Sequence, residues 1–268
     1  MVDETTSHGA AFNYVRIGSG KPLLLLHGLG GSWHSWTPVI NTLAVERTVI
    51  AVDQPGFGET PPSEGTVSIA SLADAVSAFL NEENLTGVDA AGSSMGARLV
   101  LELVRRRVVG AAVALDPGGF WEGWQRHYFD TSIRASIALV RLLAPVMPLL
   151  TGNPVTRSLL FAQFSARPWD LSPSLTLTEM RSFAAARSFD ALRAELVNGA
   201  PQAGMPEPPE RPLVIVWGRQ DRVCFPSQAR RAQALFPHAK LVWFESCGHF
   251  PQWDLPQRTA RLILATTD

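Results

Sequence analysis

Val88-Asp89-Ala90-Ala91-Gly92-Ser93-Ser94-Met95-Gly96-Ala97-Arg98-Leu99-Val100-Leu101 is the stretch on which the reading of this chain turns. Val88–Ala91 is short and apolar, as a buried strand is, and Ala97–Val104 combines helix formers with apolar residues on most of its faces. Gly92-Ser93-Ser94-Met95-Gly96 must therefore turn the chain from strand to helix. A side chain on so sharp a turn cannot retreat into packing, so the Ser94 hydroxyl is expected to stand clear of the sheet edge. Glycines two residues before and after permit the turn. The helix that follows starts with a Met95 N–H that has no intrahelical acceptor, aimed where a negative oxygen would form.

Working outward, apolar strand-like runs alternate with helix-like ones. Leu23–Leu26, Val49–Val52, Val88–Ala91, Ala111–Leu115, Leu213–Trp217 and Leu241–Phe244 are the strand candidates. Helices are placed near Ser35–Leu43, Ser68–Leu80, Ser94–Arg107, Ser227–Leu235 and Gln257–Leu264. The alternation predicts an α/β fold, a mostly parallel sheet with helices on both faces. Phe12–Ile17, closed by Gly18-Ser19-Gly20, is expected to pair with the first parallel strand as a hairpin.

The alternation breaks at Asp116-Pro117-Gly118-Gly119 and resumes only after the proline-rich Pro201–Pro212. Residues 1–118 and 209–268 are read as one core domain and residues 119–208 as a helical insertion. The insertion holds Trp121, Trp124, Tyr128, Phe129, Phe161, Phe164, Trp169, Phe183 and Phe189, some of which must line whatever it covers. Within it Ile133–Leu150 is strongly apolar, but Arg134, Arg141, Pro145 and Pro148 argue for a helix packed on the core over one that spans a bilayer.

A serine hydroxyl is a weak nucleophile that needs a base, and the base needs an orienting group. His249, in Ser246-Cys247-Gly248-His249-Phe250, falls between the last strand and the last helix, on the sheet edge where Ser94 emerges. Asp221, just past the preceding strand, is the candidate acid, with Asp116 as its competitor and a turn or cap aspartate as the plain alternative. A second oxyanion donor is expected from His27-Gly28-Leu29-Gly30-Gly31-Ser32, with the Leu29 N–H paired to that of Met95. His27 reads as a histidine satisfying nearby backbone, and Asp53 as a turn aspartate.

Composition narrows the function. The chain has 268 residues, 46% of them hydrophobic, and a net charge of −1, so it can build a full core and shows no footprint for nucleic acid or an anionic membrane. A small-molecule substrate fits better. Asp3, Glu4 and several hydroxyl residues near the start do not resemble a secretory signal, which points to the cytoplasm. Cys224 and Cys247 lack disulfide-framework and metal-site spacing and read as buried space-filling thiols. Monomer and homodimer both remain open.

His27-Gly28-Leu29-Gly30, Asp53-x-x-Gly56-x-Gly58, Gly92-x-Ser94-x-Gly96, Asp221 and Gly248-His249 occur in the order found in the α/β-hydrolase fold family, which this chain resembles over nearly its whole length. The resemblance implies an eight-stranded, mostly parallel sheet, a helical cap at residues 119–208, and chemistry without cofactor or metal. Serine at the turn separates the chain from the aspartate-nucleophile dehalogenase and epoxide-hydrolase branches. The expected activity is hydrolysis of a small, largely apolar carboxylic ester through an acyl-enzyme. Trp217–Arg222 and Gly248–Trp253 also look like segments of the carbon–carbon bond hydrolases of ring-fission products, whereas His27–Ser32 is closer to general esterases. The carbon–carbon reading would need a carboxylate anchor, for which Arg181 or Arg187 is the candidate. Trp121, Trp124 and Phe250 complete the expected substrate contacts. A ligand receptor with little turnover is the third reading.

Overall fold

The computed structural model describes residues 5–8 and 12–268. Asp3 and Glu4, with the rest of residues 1–4 and 9–11 of the expected core domain, lie outside the described residues. Strands β1 (Thr5–His8), β2 (Asn13–Ile17), β3 (Lys21–Leu26), β4 (Arg47–Val52), β5 (Asp89–Ser93), β6 (Ala112–Leu115), β7 (Leu213–Gly218) and β8 (Lys240–Phe244) form one eight-stranded sheet in the order β1-β2-β4-β3-β5-β6-β7-β8. From β4 to β8 every neighbouring pair is parallel, and β1 and β2 extend the β4 side antiparallel.

The hairpin expected between Phe12–Ile17 and the first parallel strand does not form. β2 pairs with β4, Tyr14 opposite Val52 and Ile17 opposite Val49. The reason is the place of β3, whose four leucines, Leu23–Leu26, are fully buried and whose two edges are taken by β4 and β5. The open hydrogen-bonding edge belonged to β4.

Helices α1 (Thr37–Leu43), α2 (Ile69–Glu82) and α3 (Met95–Arg105) belong to the first part of the sheet. Between β6 and β7 run α4 (Trp124–Leu143), α5 (Met147–Gly152), α6 (Pro154–Phe161), α7 (Pro173–Ala185) and α8 (Phe189–Asn198), and the chain closes with α9 (Gln228–Leu235), α10 (Pro251–Asp254) and α11 (Pro256–Thr266). Local chemistry sets several starts. Ser68 and Ser71 cap each other reciprocally at α2, with bonds of 3.0 and 2.8 Å, and Pro154, Pro173, Pro251 and Pro256 open helices where no N–H is needed.

Alternate strand residues feed two cores. Leu23, Leu25, Val49, Ala51, Val113 and Val214 pack with Val39, Ile40 and Leu43 of α1 and Ala260 and Ile263 of α11. Leu24, Leu26, Ile50, Val52, Ala90 and Ile215 face α2, α3 and α9. Each fully buried Leu or Ile contributes roughly 1.5–3 kcal/mol, so β3 alone anchors both faces. α3 is buried along Met95–Val104, as its apolar faces require.

Among the described residues no strand interrupts the chain between Leu115 and Leu213. The apolar run Ile133–Leu150 crosses α4 and α5, separated by a short 3-10 turn at Ala144–Val146. It lies within the helical stretch Trp124–Gly152, which by length and composition alone is apolar enough to cross a membrane. Here Phe129, Ile133, Ile137 and Val140 point inward, while Leu139, Leu142, Val146 and Leu149 are exposed.

Candidate active site

Ser94 stands between β5 and α3 with φ +56° and ψ −114°, a left-handed-side backbone that a non-glycine residue adopts only where its surroundings enforce it. The flanking glycines are steric necessities. A Cβ on Gly92 would lie 2.3 Å from the Gly96 carbonyl oxygen, and one on Gly96 would lie 2.2 Å from that of Leu26. The Ser94 N–H is tied to Leu115 O of β6 at 2.9 Å, and Ser93 Oγ accepts from Gln252 Nε2 of α10 at 3.0 Å.

The three residues singled out in sequence converge. His249 Nδ1 lies 2.8 Å from Asp221 Oδ2, and His249 Nε2 lies 2.8 Å from Ser94 Oγ. In the tautomer whose Nδ1 donates to the Asp221 oxygen, Nε2 accepts from the serine hydroxyl. Ser94 is 9% exposed, Asp221 2% and His249 1%, so water has little access to the relay. Asp221 faces His249 and caps its own turn at once. Its Oδ1 accepts from the Val223 and Cys224 N–H groups at 2.7 and 2.9 Å, capping its own turn and fixing the carboxylate that faces His249.

Asp116, the competitor, lies close by but does different work. Its Oδ1 accepts from Gly218 N at 2.8 Å, and burial, followed by the charge of neighbouring Asp221, pushes its carboxyl well above the usual range. His27 is spent on backbone: Nε2 accepts from Gln54 N at 3.0 Å and Nδ1 donates to Gly28 O at 2.7 Å, while burial lowers its pKa. Asp53 binds its turn at Glu59 N (3.0 Å) and also reaches Trp33 N and Asn13. Cys224 and Cys247 are free and buried, and burial raises both thiols far out of the reactive range. Asp221, Cys224 and His249 bring three ligand-type atoms within 4.8 Å of one another. A metal there would have to displace the Asp221–His249 bond and deprotonate a thiol held protonated by burial.

Above Ser94 lies a cavity whose lining is almost wholly apolar. The core supplies Leu29, Met95, Val223 and Phe250. The 119–208 segment supplies Trp121, Phe129, Ile133, Ile137, Val140, Phe164, Phe183, Phe189 and Leu196. His249 is the one titratable side chain in that lining, and Ser136, which donates to Gln163 Oε1 at 2.9 Å, is the one polar side chain apart from the relay. Met95 and Leu29, the expected oxyanion donors, both border the cavity. The backbone of the Leu29 loop passes close to the serine, since a Cβ on Gly28 would sit 3.2 Å from that of Ser94.

Three residues expected to contact substrate lie outside this lining. Trp124 is 65% exposed and packs outside the cavity, edge-on to Tyr128 and tilted against Phe225, because it lies off the Phe129-Ile133-Ile137-Val140 stripe of α4. Arg181 is exposed and absent from the lining, one position beyond the buried Thr176-Glu179-Met180-Phe183 face of α7. Arg187 is exposed and donates to Thr60 O at 2.9 Å, stapling the end of α7 to the Gly56–Thr60 turn. Sequence reasoning missed the aliphatic stripe Ile133, Ile137 and Val140, although its helical spacing within an apolar run was the available signal. Asp254 and Glu179, both buried polar residues beside the site, carried no motif at all.

The chain belongs to the α/β-hydrolase fold family, whose model matches residues 21–256. It is 27% identical over 253 residues to the dihydrolipoyllysine-residue acetyltransferase component of an acetoin cleaving system from Cupriavidus necator, covering 92% of this chain and 63% of that one, so it spans less than two thirds of that relative's length. It is 29% identical over 275 residues to a 2-hydroxymuconate semialdehyde hydrolase from Pseudomonas sp. strain CF600, covering 97% and 91%. Among solved structures it superposes on a thermophilic esterase from Thermogutta terrifontis with a TM-score of 0.74 at 18% identity, covering 99% and 97%. At that identity the likeness speaks for the fold alone. The two curated relatives bear the names of an acetyltransferase component and a semialdehyde hydrolase, so kinship defines the family and not the reaction.

Proposed function

We propose that this chain is a serine hydrolase that cleaves a small carboxylic ester, with a largely apolar acyl or alcohol group, through an acyl-enzyme. Ser94 Oγ attacks the acyl carbon while His249 Nε2, 2.8 Å away, takes its proton, and Asp221 stabilises the imidazolium that forms. The N–H groups of Leu29 and Met95 hold the oxyanion, a task in which one lost donor costs on the order of 10²–10³ in rate. The intermediate collapses by breaking the C–O bond, with the His249 proton passing to the departing alcohol. Water then attacks the acyl-enzyme, giving its proton to His249, and the carboxylic acid leaves as Ser94 regains its hydrogen. Residues 119–208 serve as the cap that encloses the substrate.

The observation that carries the ester reading over carbon–carbon cleavage is the cavity lining. It offers aromatic and aliphatic side chains and no cation to anchor a carboxylate, and Arg181 and Arg187 both lie outside it. A desolvated carboxylate without a partner would be held there at a cost of several kcal/mol. Steady-state hydrolysis of 4-nitrophenyl butyrate by wild type and Ser94→Ala, followed past many turnovers per chain, tests the proposal. Sustained turnover that vanishes with Ser94→Ala supports it. Turnover of a ring-fission dienoate with none of the ester would replace it by the carbon–carbon reading, and a single covalent event per chain by the receptor.

A further inference from the structure

Gln252, Trp253 and Asp254 are consecutive in α10, and each braces a different wall of the site. Gln252 donates to Ser93 beside the nucleophile turn, and Trp253 Nε1 donates to Ser35 O at 3.0 Å beyond the Leu29 loop. Asp254, 7% exposed, joins two segments that are far apart in sequence. Its Oδ2 accepts from Gly248 N at 2.7 Å, next to His249, and from Ala166 N at 2.9 Å in the insertion. Its Oδ1 accepts from Ser165 Oγ, which in turn accepts from Arg167 N at 3.0 Å.

Other contacts run along the same seam. His249 N donates to Phe164 O at 2.9 Å, and Arg222, beside Asp221, donates to Ala162 O at 2.6 Å. The two backbones meet so closely that a Cβ on Gly248 would lie 2.8 Å from Ala166 N and 2.9 Å from Phe164 O. One short stretch, residues 161–167, therefore touches both loops that carry the base and the acid, and it delivers Phe164 to the cavity. Three hydrogen bonds from two segments therefore converge on one buried side chain at this seam.

We propose that Asp254 is a positioning residue that locks the 161–167 segment of the insertion to the His249 loop, so that seating of the cap and orientation of the catalytic base are one event. The inference rests on the Ser94–His249–Asp221 reading and adds to it a link between cap and relay. The test measures ester hydrolysis, the rate of Ser94 phosphonylation by a small fluorophosphonate, and the downfield proton resonance of the His249–Asp221 hydrogen bond. The variants are Asp254→Ala, Asp254→Asn and Ser165→Ala.

In Asp254→Ala, kcat and the phosphonylation rate are expected to fall together by about 10²-fold, the scale of a small misplacement of a catalytic group, with KM little changed and the resonance shifted or broadened. Asp254→Asn keeps an oxygen for the two N–H donors and offers its own N–H to Ser165 Oγ, so it recovers most of the loss. Ser165→Ala, which leaves the Gly248 bond in place, shows a smaller fall in kcat and keeps the test alive should Asp254→Ala not fold. Unchanged kcat and resonance in a folded Asp254→Ala, or in Ser165→Ala, overturns the proposal. So does an Asn variant as impaired as Ala with the resonance intact, which is the pattern of a merely structural residue. Retained phosphonylation and hydrolysis in Ser94→Ala would instead remove the reading on which the proposal rests, and the resonance would still report on the link.

Discussion

The loops at the C-terminal edge of the sheet and the helices of residues 119–208 make up opposite walls of one cavity, and they are built by different rules. On the sheet side, short local motifs fix each side chain: a glycine-flanked turn presents Ser94, and a capped turn aims Asp221. On the helical side no motif operates. The wall is set by which stripe of α4 and α7 faces inward, and by seams such as Asp254 with Ser165 and Ala166. Under the proposed function, chemistry falls to the side whose geometry is local, and selectivity to the side whose geometry is tertiary.

The largest expected effect breaks the comparison outright if it fails. Ser94→Ala, or His249→Ala, should lower kcat for a short ester by on the order of 10⁶-fold, and the double variant should be no worse, because the relay acts as a unit. A single variant with near-normal turnover in a steady-state assay would move the chemistry off the sheet edge.

Next is the contrast between the two buried aspartates. Asp221→Asn is expected to lose about 10⁴-fold in kcat, since it would favour the wrong tautomer of His249. Asp116→Asn should stay near wild type, because an amide oxygen can still accept from Gly218 N and burial already disfavours the charge that the amide removes. Equal losses in the two variants would show that sequence position alone had misassigned the acid.

Glu179 tests how the helical side is attached. It is fully buried on α7, accepts from Ser35 Oγ at 2.8 Å, and burial pushes its pKa up to about 8 from an ordinary 4.5. Between those values the folded protein holds a proton that the unfolded chain has released, so stability declines as pH rises across that window, by at most about 1.4 kcal/mol per pH unit. Thermal unfolding at pH 6 and pH 8 should show this decline in wild type and a flattened profile in Glu179→Gln, which keeps an oxygen for Ser35. Parallel profiles would mean that the carboxyl titrates normally.

The smallest effect sharpens the division between chemistry and selectivity. Phe183, in the cavity lining and packed against Phe164 with ring centroids 6.0 Å apart, should set acyl-chain preference. Phe183→Ala is expected to shift the kcat/KM ratio of long to short acyl esters by about 10-fold, as removal of apolar pocket contacts does, while kcat for the short ester changes little. A chain-length panel decides it, and an unaltered ratio would place selectivity elsewhere.

These differences follow what could be read before the structure. Gly92-x-Ser94-x-Gly96, Asp221 and Gly248-His249 were legible because a strand, a tight turn and a helix start each demand particular residues at fixed offsets, and the parallel sheet places their ends on one edge. Trp124, Arg181 and Arg187 fall outside the cavity lining because aromatic or charged character names a residue type, while the helix phase that faces a cavity is chosen by packing partners. The expected hairpin of β2 with β3 failed for a similar reason: the Gly18-Ser19-Gly20 turn is local, but the strand order that leaves the β4 edge open is not.

By itself the sequence determined the fold family, the elements of the core and the identity of the three residues of the hydrogen-bonded relay, because each sits in a local motif with residue types at fixed offsets, although the bonds that join them span 28 and 155 residues. Only the tertiary structure decided the apolar character of the cavity, the exclusion of both candidate arginines, and the buried carboxyls of Asp254 and Glu179. Those depend on residues far apart in sequence being brought within hydrogen-bond or van der Waals reach, where burial sets their charge and their neighbours set their role.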